Sequence, residues 1–467
     1  MCNMEKKIVV FGTGEIASKL TFEFMEKNIS VDFYLDSLLS KNEFMNRPVF
    51  SLDYLDKLYD VNEYEYYLGT YTSSLGMIGE LKKHGVTEEN IHETKDYCVN
   101  TLENDIKKIN DTTTFVLYPK FETQQKIESV FEEIRKCFPR CVSQKIRFLV
   151  SGNVKYDSDL NIKVYDEIEK KSDYVILVWD RQHLKDNILK QFNNQTLCID
   201  REYFDIADIR LFLRFNKLLW SDFEKYEIEN ISEKNYLKLE NENFKSAYVF
   251  GNGASCSEGI KKIQYDKSLR IVCNGMIAFK EYVYKVNPQI YVIADEVFAG
   301  DKYSEMLESI VDYVNANDCY LCISANMVYA IIDRYPKVKN KIITIWLDSK
   351  EINFPYAKER SVLRKSFNVM TSMVIPIASA LSDNIFIAGC DGYLLKDNVE
   401  EWKYDEKLQK SAELNRKIGQ MEWEKENYKK HIKYFEEIIK FGEKKGKNYE
   451  SISFSNIPIL KEHTRKL

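Results

Sequence analysis

The apolar run Ala247–Phe250 opens into Gly251-Asn252-Gly253-Ala254-Ser255, followed by helix-forming residues. Two glycines among small polar residues at a strand end can present backbone N–H groups to phosphate oxygens. Asn252 supplies donors and an acceptor, and Ser255 is placed to cap the helix or to touch phosphate. The next apolar runs, Leu269–Cys273 and Ile290–Ala294, end at Asn274-Gly275 and at Asp295. Three successive strands thus carry Asn252, Asn274 and Asp295 at their carboxyl ends, the edge of a parallel sheet where ligands sit. The pattern predicts a polar nucleotide cleft.

The elements that must hold these residues belong to a multidomain α/β chain of Rossmann-like parallel sheets. Its 467 residues call for two to four domains. We divide it into residues 1–100, a small Rossmann-like unit; 110–210, a second α/β unit; 211–243, a polar helical connector leading to a hinge; and 244–467, the unit with the cleft. In the first unit Lys7–Phe11 ends in Gly12-Thr-Gly14, Ala17 follows, and a second strand, Val31–Leu35, ends at Asp36. That is the order of a dinucleotide-binding turn, with Gly12, Gly14 and Asp36 as its nucleotide site. The blander account is a βαβ packing unit that needs glycine only for its turn. The segment also resembles the small module found in front of bacterial sugar acyltransferases. In the second unit Asp180 and Asp200 end strands, where they either meet a ligand or cap the next helix.

Composition removes several function classes. Lys and Arg number 67 against 73 Asp and Glu, a net charge of −6, so no polybasic nucleic-acid groove dominates the chain. With 44% hydrophobic and 30% charged residues the chain is globular, not disordered. No run approaches the roughly 18–20 apolar residues of a membrane span, and the start lacks the pattern of an export signal, so the expected compartment is the cytoplasm. Ten scattered cysteines then read as reduced thiols, and the Cys319-x-x-Cys322 pair, without a second pair at zinc spacing, as strand filler.

Taken in order, GNGAS at a strand end, CN at the next, Thr371-Ser372 opening an apolar helix, and IFIAGCDGY resemble the bacterial sialyltransferases of glycosyltransferase family 42 and the related catalytic domain of motility accessory factors. The resemblance runs from about Ser246 to Pro458. It implies a GT-A-like, Rossmann-like sialyltransferase-type domain. That domain would be a metal-independent, inverting transferase with a CMP-activated sugar as donor substrate, no further cofactor, and a surface glycan or glycoprotein as acceptor. Carried onto this sequence, Gly251, Asn252, Gly253 and Ser255 would line phosphate and ribose, and Asn274 would contact the donor. Thr371 and Ser372 would lie near its carboxylate and cytidine, and Tyr393, after Gly389 and Asp391, would bond the departing phosphate. His431 would be the base; an unperturbed imidazole suits removal of a hydroxyl proton. The alternative for His431 is a solvated histidine beside Lys429 and Lys430.

The sequence also departs from the family. Ala254 replaces a proline, Asp295 stands where the sialyltransferases have asparagine, and Val369 and Met373 replace an arginine and a glycine around the Thr371-Ser372 pair. A second phosphate-contacting tyrosine has only Tyr404 as a candidate, and His84, His92, His183 and His463 match nothing in the family. Trp402, Trp423, Tyr428 and Phe435 offer an acceptor lid or a patch for peripheral attachment at the inner face of the membrane; core packing is the simpler reading. Oligomerisation is left open. Two rivals accompany the transferase. One is a pterin-type diphosphokinase whose Asp295 and Asp391 hold Mg²⁺. The other is a non-catalytic nucleotide-binding partner in glycan assembly.

Overall fold

The computed structural model describes residues 7–14, 17, 20–21, 24–25, 29–37, 42–69, 74–93, 113–140, 147–151, 161–164, 171, 174–180, 183, 186–189, 192, 196–199, 209, 212–213, 216–217, 219–300, 303–349, 351–356, 361–366, 368–392 and 422–464. They form an α/β protein with three parallel sheets. The first contains β1 (Lys7–Phe11), β2 (Val31–Leu35), β3 (Glu43–Phe44), β4 (Arg47–Phe50), β5 (Tyr64–Leu68) and β6 (Ile91–Glu93), in the order β3-β4-β2-β1-β5-β6. Only the β3–β4 pair is antiparallel among the described strands. The second contains β7 (Thr114–Tyr118), β8 (Arg147–Val150), β9 (Asn161–Val164), β10 (Tyr174–Val178) and β11 (Thr196–Cys198), in the order β11-β10-β7-β8-β9.

The third sheet is assembled from β12 (Ser246–Phe250), β13 (Ser268–Cys273), β14 (Ile290–Ile293) and β15 (Tyr320–Ser324). Its remaining strands are β16 (Ile342–Ser349), β17 (Val362–Arg364), β18 (Asn384–Ala388) and β19 (Asn448–Ser451). Their order is β17-β16-β15-β14-β13-β12-β18-β19. In all three sheets the chain begins on an inner strand, adds neighbours to one side, then crosses to the other. The order therefore reverses between β1 and β5, between β7 and β10, and between β12 and β18. Loops leaving the carboxyl ends of two such strands diverge and open a crevice.

Alternation of side chains splits the core of the third sheet into two layers. On one face Ala247, Val249, Ile271 and Val292 pack with helix α3 (Ile375–Leu381) and with Phe435, Ile438 and Ile439 of helix α4 (Glu422–Lys444). On the other, Tyr248, Phe250, Val272 and Tyr291 join one continuous apolar cluster with Phe115, Leu117 and Phe148 of the second sheet. Helix α1 (Gln124–Cys137) contributes Ile127, Phe131 and Ile134 to that cluster, spaced to lie along one helical face. The two sheets are also pinned by Arg140, which donates to Glu224 (2.6 Å) and Asp333 (2.8 Å) while lying 3.5 Å over the ring of Trp220.

The segment expected to lead to a hinge is helix α2 (Asp222–Asn241), started by a capping box between Ser221 and Glu224. It is fastened to the third sheet. Asn235 donates to the Ile342 carbonyl (2.9 Å), the Ser232 hydroxyl accepts from the Thr344 amide (2.8 Å), and the Tyr236 hydroxyl donates to the Pro355 carbonyl (3.1 Å). Cys256, Cys273, Cys319, Cys322 and Cys390 are free, buried thiols, and burial raises the pKa of each. Among the described residues no helix is long and apolar enough to cross a membrane.

Candidate functional site

At the carboxyl ends of β12 and β18, where strand order reverses, the glycine loop is closed by the chain itself. The Gly251 amide donates to the Ala388 carbonyl (2.9 Å) and the Gly253 amide to the Gly389 carbonyl (2.8 Å), so the two loops are zipped together. A Cβ on Gly251 would strike the Gly389 carbonyl oxygen, and one on Gly253 the Asp391 carboxylate. Gly389 itself has a left-handed φ of 65°.

The Asp391 carboxylate accepts the Ser255 amide (2.9 Å) and the Ser255 hydroxyl; that hydroxyl also lies 2.8 Å from Ser453 Oγ. Burial raises the Asp391 pKa, and the bonds from Ser255 work against that rise. The Gly251 and Gly253 amides and the Ser255 amide and hydroxyl, expected to face phosphate, are thus bonded within the chain itself. The anion held by the loop is an internal carboxylate, tethered by the fold and therefore always at hand.

What the rim still offers is a pair of acceptors. The carboxamide oxygens of Asn252 and Asn274 are both buried and lack a hydrogen-bond partner among the described residues. An unsatisfied buried acceptor costs about 1–3 kcal/mol. Asn274 is also held in the left-handed region at φ 42°, where its carbonyl accepts from the Tyr291 hydroxyl (2.8 Å), and the Tyr291 hydroxyl oxygen in turn accepts the Ile277 amide (2.8 Å). The third strand-end residue, Asp295, caps a short turn by accepting from the Val297 amide (3.3 Å). The two asparagines follow the carboxyl ends of adjoining strands, β12 and β13, beside the point of reversal.

Thr371 and Ser372 lie in a five-residue π-turn, Met370–Val374, that precedes α3. Pro376, near the start of α3, lacks the N–H that a regular helix would bond back to residue 372, which is the physical reason for the irregular turn. The hydroxyls are wired locally: Ser366 Oγ lies 2.6 Å from Thr371 Oγ1 and 2.7 Å from Ser372 Oγ, and Ser372 also donates to the Asn368 carbonyl (2.8 Å). Met370 lies against the end of β13, its sulfur 3.9 Å from that of Cys273, so this turn adjoins Asn274.

Thr371 also lines a small cavity with Ile352, Asn353, Arg364, Ser366, Pro376, Tyr434 and Ile438. Sequence reasoning missed Arg364 and Asn353. Arg364 closes the three-residue strand β17, whose setting, SVLRKS, shows no strand periodicity. The signal available was an arginine seven residues before Thr371, on a different element from Val369.

His431 lies on α4. Burial lowers its pKa to about 4, its Nδ1 is buried without a described partner, and the edge of Phe435 packs 5.2 Å from it. It is thus neither a solvated surface histidine nor a group near its ordinary pKa. The same helix reaches the crevice through Tyr428, whose hydroxyl lies against Gly392. Phe435 is fully buried, so it belongs to the core and to no lid or membrane patch. Tyr393, Tyr404, Trp402 and Asp200 lie outside the described residues, as does the side chain of Trp423.

In the first sheet Gly12 has a φ of 118°, its amide donates to the Leu35 carbonyl (2.7 Å), and Gly14 faces open space. Asp36, read as part of the nucleotide site, accepts the hydroxyl of Thr13 (2.5 Å) from the neighbouring loop. At the reversal of the second sheet, the Tyr118 hydroxyl donates to Asp186 (2.6 Å), which also lies 2.8 Å from His183 Nδ1, a cluster the sequence did not suggest. No family model matches the chain, and neither a curated protein nor a solved structure matches it.

Proposed function

We propose that the third sheet is the catalytic unit of a glycosyltransferase that moves a sugar, a sialic-type acid from a CMP donor, to a bacterial surface glycan or glycoprotein. The observation that carries this reading is the pair of unpartnered carboxamide oxygens, Asn252 Oδ1 and Asn274 Oδ1, beside the β12–β18 reversal. A carbonyl oxygen cannot bond a phosphate oxygen; it needs a donor. Ribose and sugar hydroxyls and the amino group of a base are such donors, so the rim suits the hydroxylated parts of a nucleotide-sugar better than its phosphate.

In this mechanism the acceptor hydroxyl attacks the anomeric carbon with inversion. The new C–O bond forms as the bond to the phosphate oxygen breaks, and the electron pair leaves on CMP. His431 takes the hydroxyl proton. Its low pKa keeps the imidazole unprotonated at neutral pH, and the anionic phosphodiester of a donor bound nearby would raise its basicity. Tyr393 donates its phenol to the leaving phosphate, the role implied by the family resemblance.

The diphosphokinase reading is less well supported, because both oxygens of Asp391 already accept hydrogen bonds from Ser255. The non-catalytic reading has one observation in its favour: a histidine at about 4 is a weak base. Two measurements decide among these readings. In a thermal-shift screen of CMP, CDP, UDP, ATP and NAD, CMP should stabilise most, and Asn274→Ala should lose about tenfold in CMP affinity. CMP release from CMP-N-acetylneuraminate with an acceptor present should fall at least 100-fold in His431→Ala. Release unaffected by both His431→Ala and Tyr393→Phe would remove the proposed roles. Tight CMP binding without release would favour the binding protein.

A further inference from the structure

Towards the amino-terminal end of the third sheet a cation is buried without a counter-charge. Arg270, on β13, is 7% exposed, and among the described residues no carboxylate pairs with it. Its Nε donates to the Asn287 carbonyl (2.9 Å), and Nη1 donates to the Ser268 carbonyl and hydroxyl (3.0 Å each). Those acceptors carry no net charge, and both N–H groups of Nη2 stay uncommitted. Buried charges are ordinarily paired, because desolvating an isolated ion is costly. Burial lowers the arginine's pKa, the direction expected where no anion offsets desolvation. Tyrosines surround the guanidinium. It lies 5.2 Å from the ring centroid of Tyr265, whose hydroxyl donates to the Lys285 carbonyl (2.6 Å). Tyr313 is near enough to feel the same charge, and its buried hydroxyl has no described partner. Tyr284 packs edge-on against Tyr313, with ring centroids 5.3 Å apart. Tyr265 and Tyr284 are 52% and 59% exposed, so their rings also face solvent. The unmet groups, Nη2 and the Tyr313 hydroxyl, are both donors, and an oxyanion answers both. The exposed rings offer apolar faces on which the C–H face of a sugar can pack. An inorganic anion leaves those rings unused, and a neutral sugar leaves the buried charge unpaired.

We infer that Arg270, Tyr313 and the rings of Tyr265 and Tyr284 form a binding site for an acidic sugar residue, its carboxylate on the arginine and its ring on the tyrosines. The site is separate from the crevice. Arg270 precedes Asn274 by four residues, about 13 Å along an extended strand. Its side chain alternates with Leu269 and Ile271, so it lies on the face of the sheet away from α3 and α4. A sugar held there belongs to a part of the acceptor glycan distant from the reacting end. Only that last assignment rests on the transferase reading; the anion site stands without it.

Ligand-observed NMR titration of the full chain with sialyllactose, with lactose as the neutral control, tests the site. The expected result is acid-selective binding that weakens about tenfold or more in R270Q and about fivefold in Y284A, which truncates an exposed ring. Y313F distinguishes a ligand group from a packing group. Removing an unpartnered buried hydroxyl should leave the urea midpoint unchanged or raise it, while acid binding falls about threefold or more. Sialyllactose binding should be unchanged in Asn274→Ala. Equal binding of lactose, unchanged acid binding in Y284A and Y313F, or loss in Asn274→Ala with R270Q unaffected overturns the site. A dimer in sedimentation that Y284A dissociates, with no sialyllactose bound, gives the patch to a second copy of the chain and also overturns it. A parallel CMP titration keeps the two proposals apart. CMP binding without sialyllactose binding defeats this site alone, whereas sialyllactose binding without CMP binding defeats the nucleotide reading and leaves the site standing.

Discussion

Gly12 and Gly251 each follow the first strand of a parallel sheet at the point where strand order reverses, yet they are glycine for different reasons. Gly12 adopts a φ of 118°, which side chains with a Cβ rarely reach, and the loop beyond it at Gly14 meets open space. Gly251 and Gly253 are excluded from substitution by contact, with the Gly389 carbonyl and the Asp391 carboxylate occupying the positions their side chains would need. The polar partners differ as well. The first loop bonds a part-buried Asp36 through Thr13, while the second encloses Asp391 and leaves the buried oxygen of Asn252 without a described partner. A glycine-rich turn after a first strand therefore records either a backbone angle or the close approach of the chain's own next loop, and the motif alone does not distinguish them.

The largest effect predicted from that contrast concerns the titratable group buried in the third unit. The folded imidazole of His431, at about 4, lies below its ordinary value of 6.5. Above pH 6.5 neither folded nor unfolded chain holds the proton, and stability is whole. Between 6.5 and 4 the unfolded chain binds a proton that the folded chain refuses, so stability falls by about 3 kcal/mol and levels off below that. Urea denaturation of the native chain and His431→Leu at pH 7 and pH 4 should show an acid loss smaller by that amount in the variant. Parallel losses would mean that the imidazole is solvated.

Next in size are the glycines. Gly253→Ala forces a methyl group into Asp391 and the Gly389 carbonyl and should cost about 2–3 kcal/mol in urea denaturation. Gly14→Ala, with nothing within 4 Å of the added carbon, should stay within about 0.5 kcal/mol. Equal costs would erase the distinction between the two loops. A smaller contrast comes from the acids. Asp36→Asn weakens the bond from Thr13 at a part-exposed position and should cost about 0.5–1 kcal/mol, whereas Asp391→Ala strands the buried Ser255 amide and should cost about 1–3 kcal/mol.

Inner strands were legible because each is a short, mostly buried run rich in β-branched and aromatic residues. Lys7–Phe11 and Val31–Leu35 are read from the sequence with the bounds they have in the structure. Edge strands were not. Val362–Arg364 is three residues long and becomes a strand only because Val362 aligns with Trp346 of β16, a partner no local pattern announces. The same limit applies to the site. The residue types at strand ends could be read off directly, but the capture of the Ser255 amide by Asp391 joins positions 136 residues apart. The Arg364 cavity likewise needs α4 to supply Tyr434 and Ile438. Sequence spacing reveals which groups are polar at an edge; it does not reveal which have already found each other.

The smallest effect separates ligand chemistry from architecture at a single residue. Asn274 holds a left-handed φ of 42° and a buried, unpartnered oxygen, two features that each lower stability. Glycine accepts the dihedral without strain and removes the orphaned acceptor, so Asn274→Gly should leave stability unchanged or raise it by about 0.5–1 kcal/mol, read as a shift of the urea midpoint. CMP affinity should fall in the same variant. A residue kept for packing would show the reverse: a loss of stability on substitution and no change in nucleotide binding. Gain in one and loss in the other is the signature of a group held at some cost to the fold for a partner that comes from outside it.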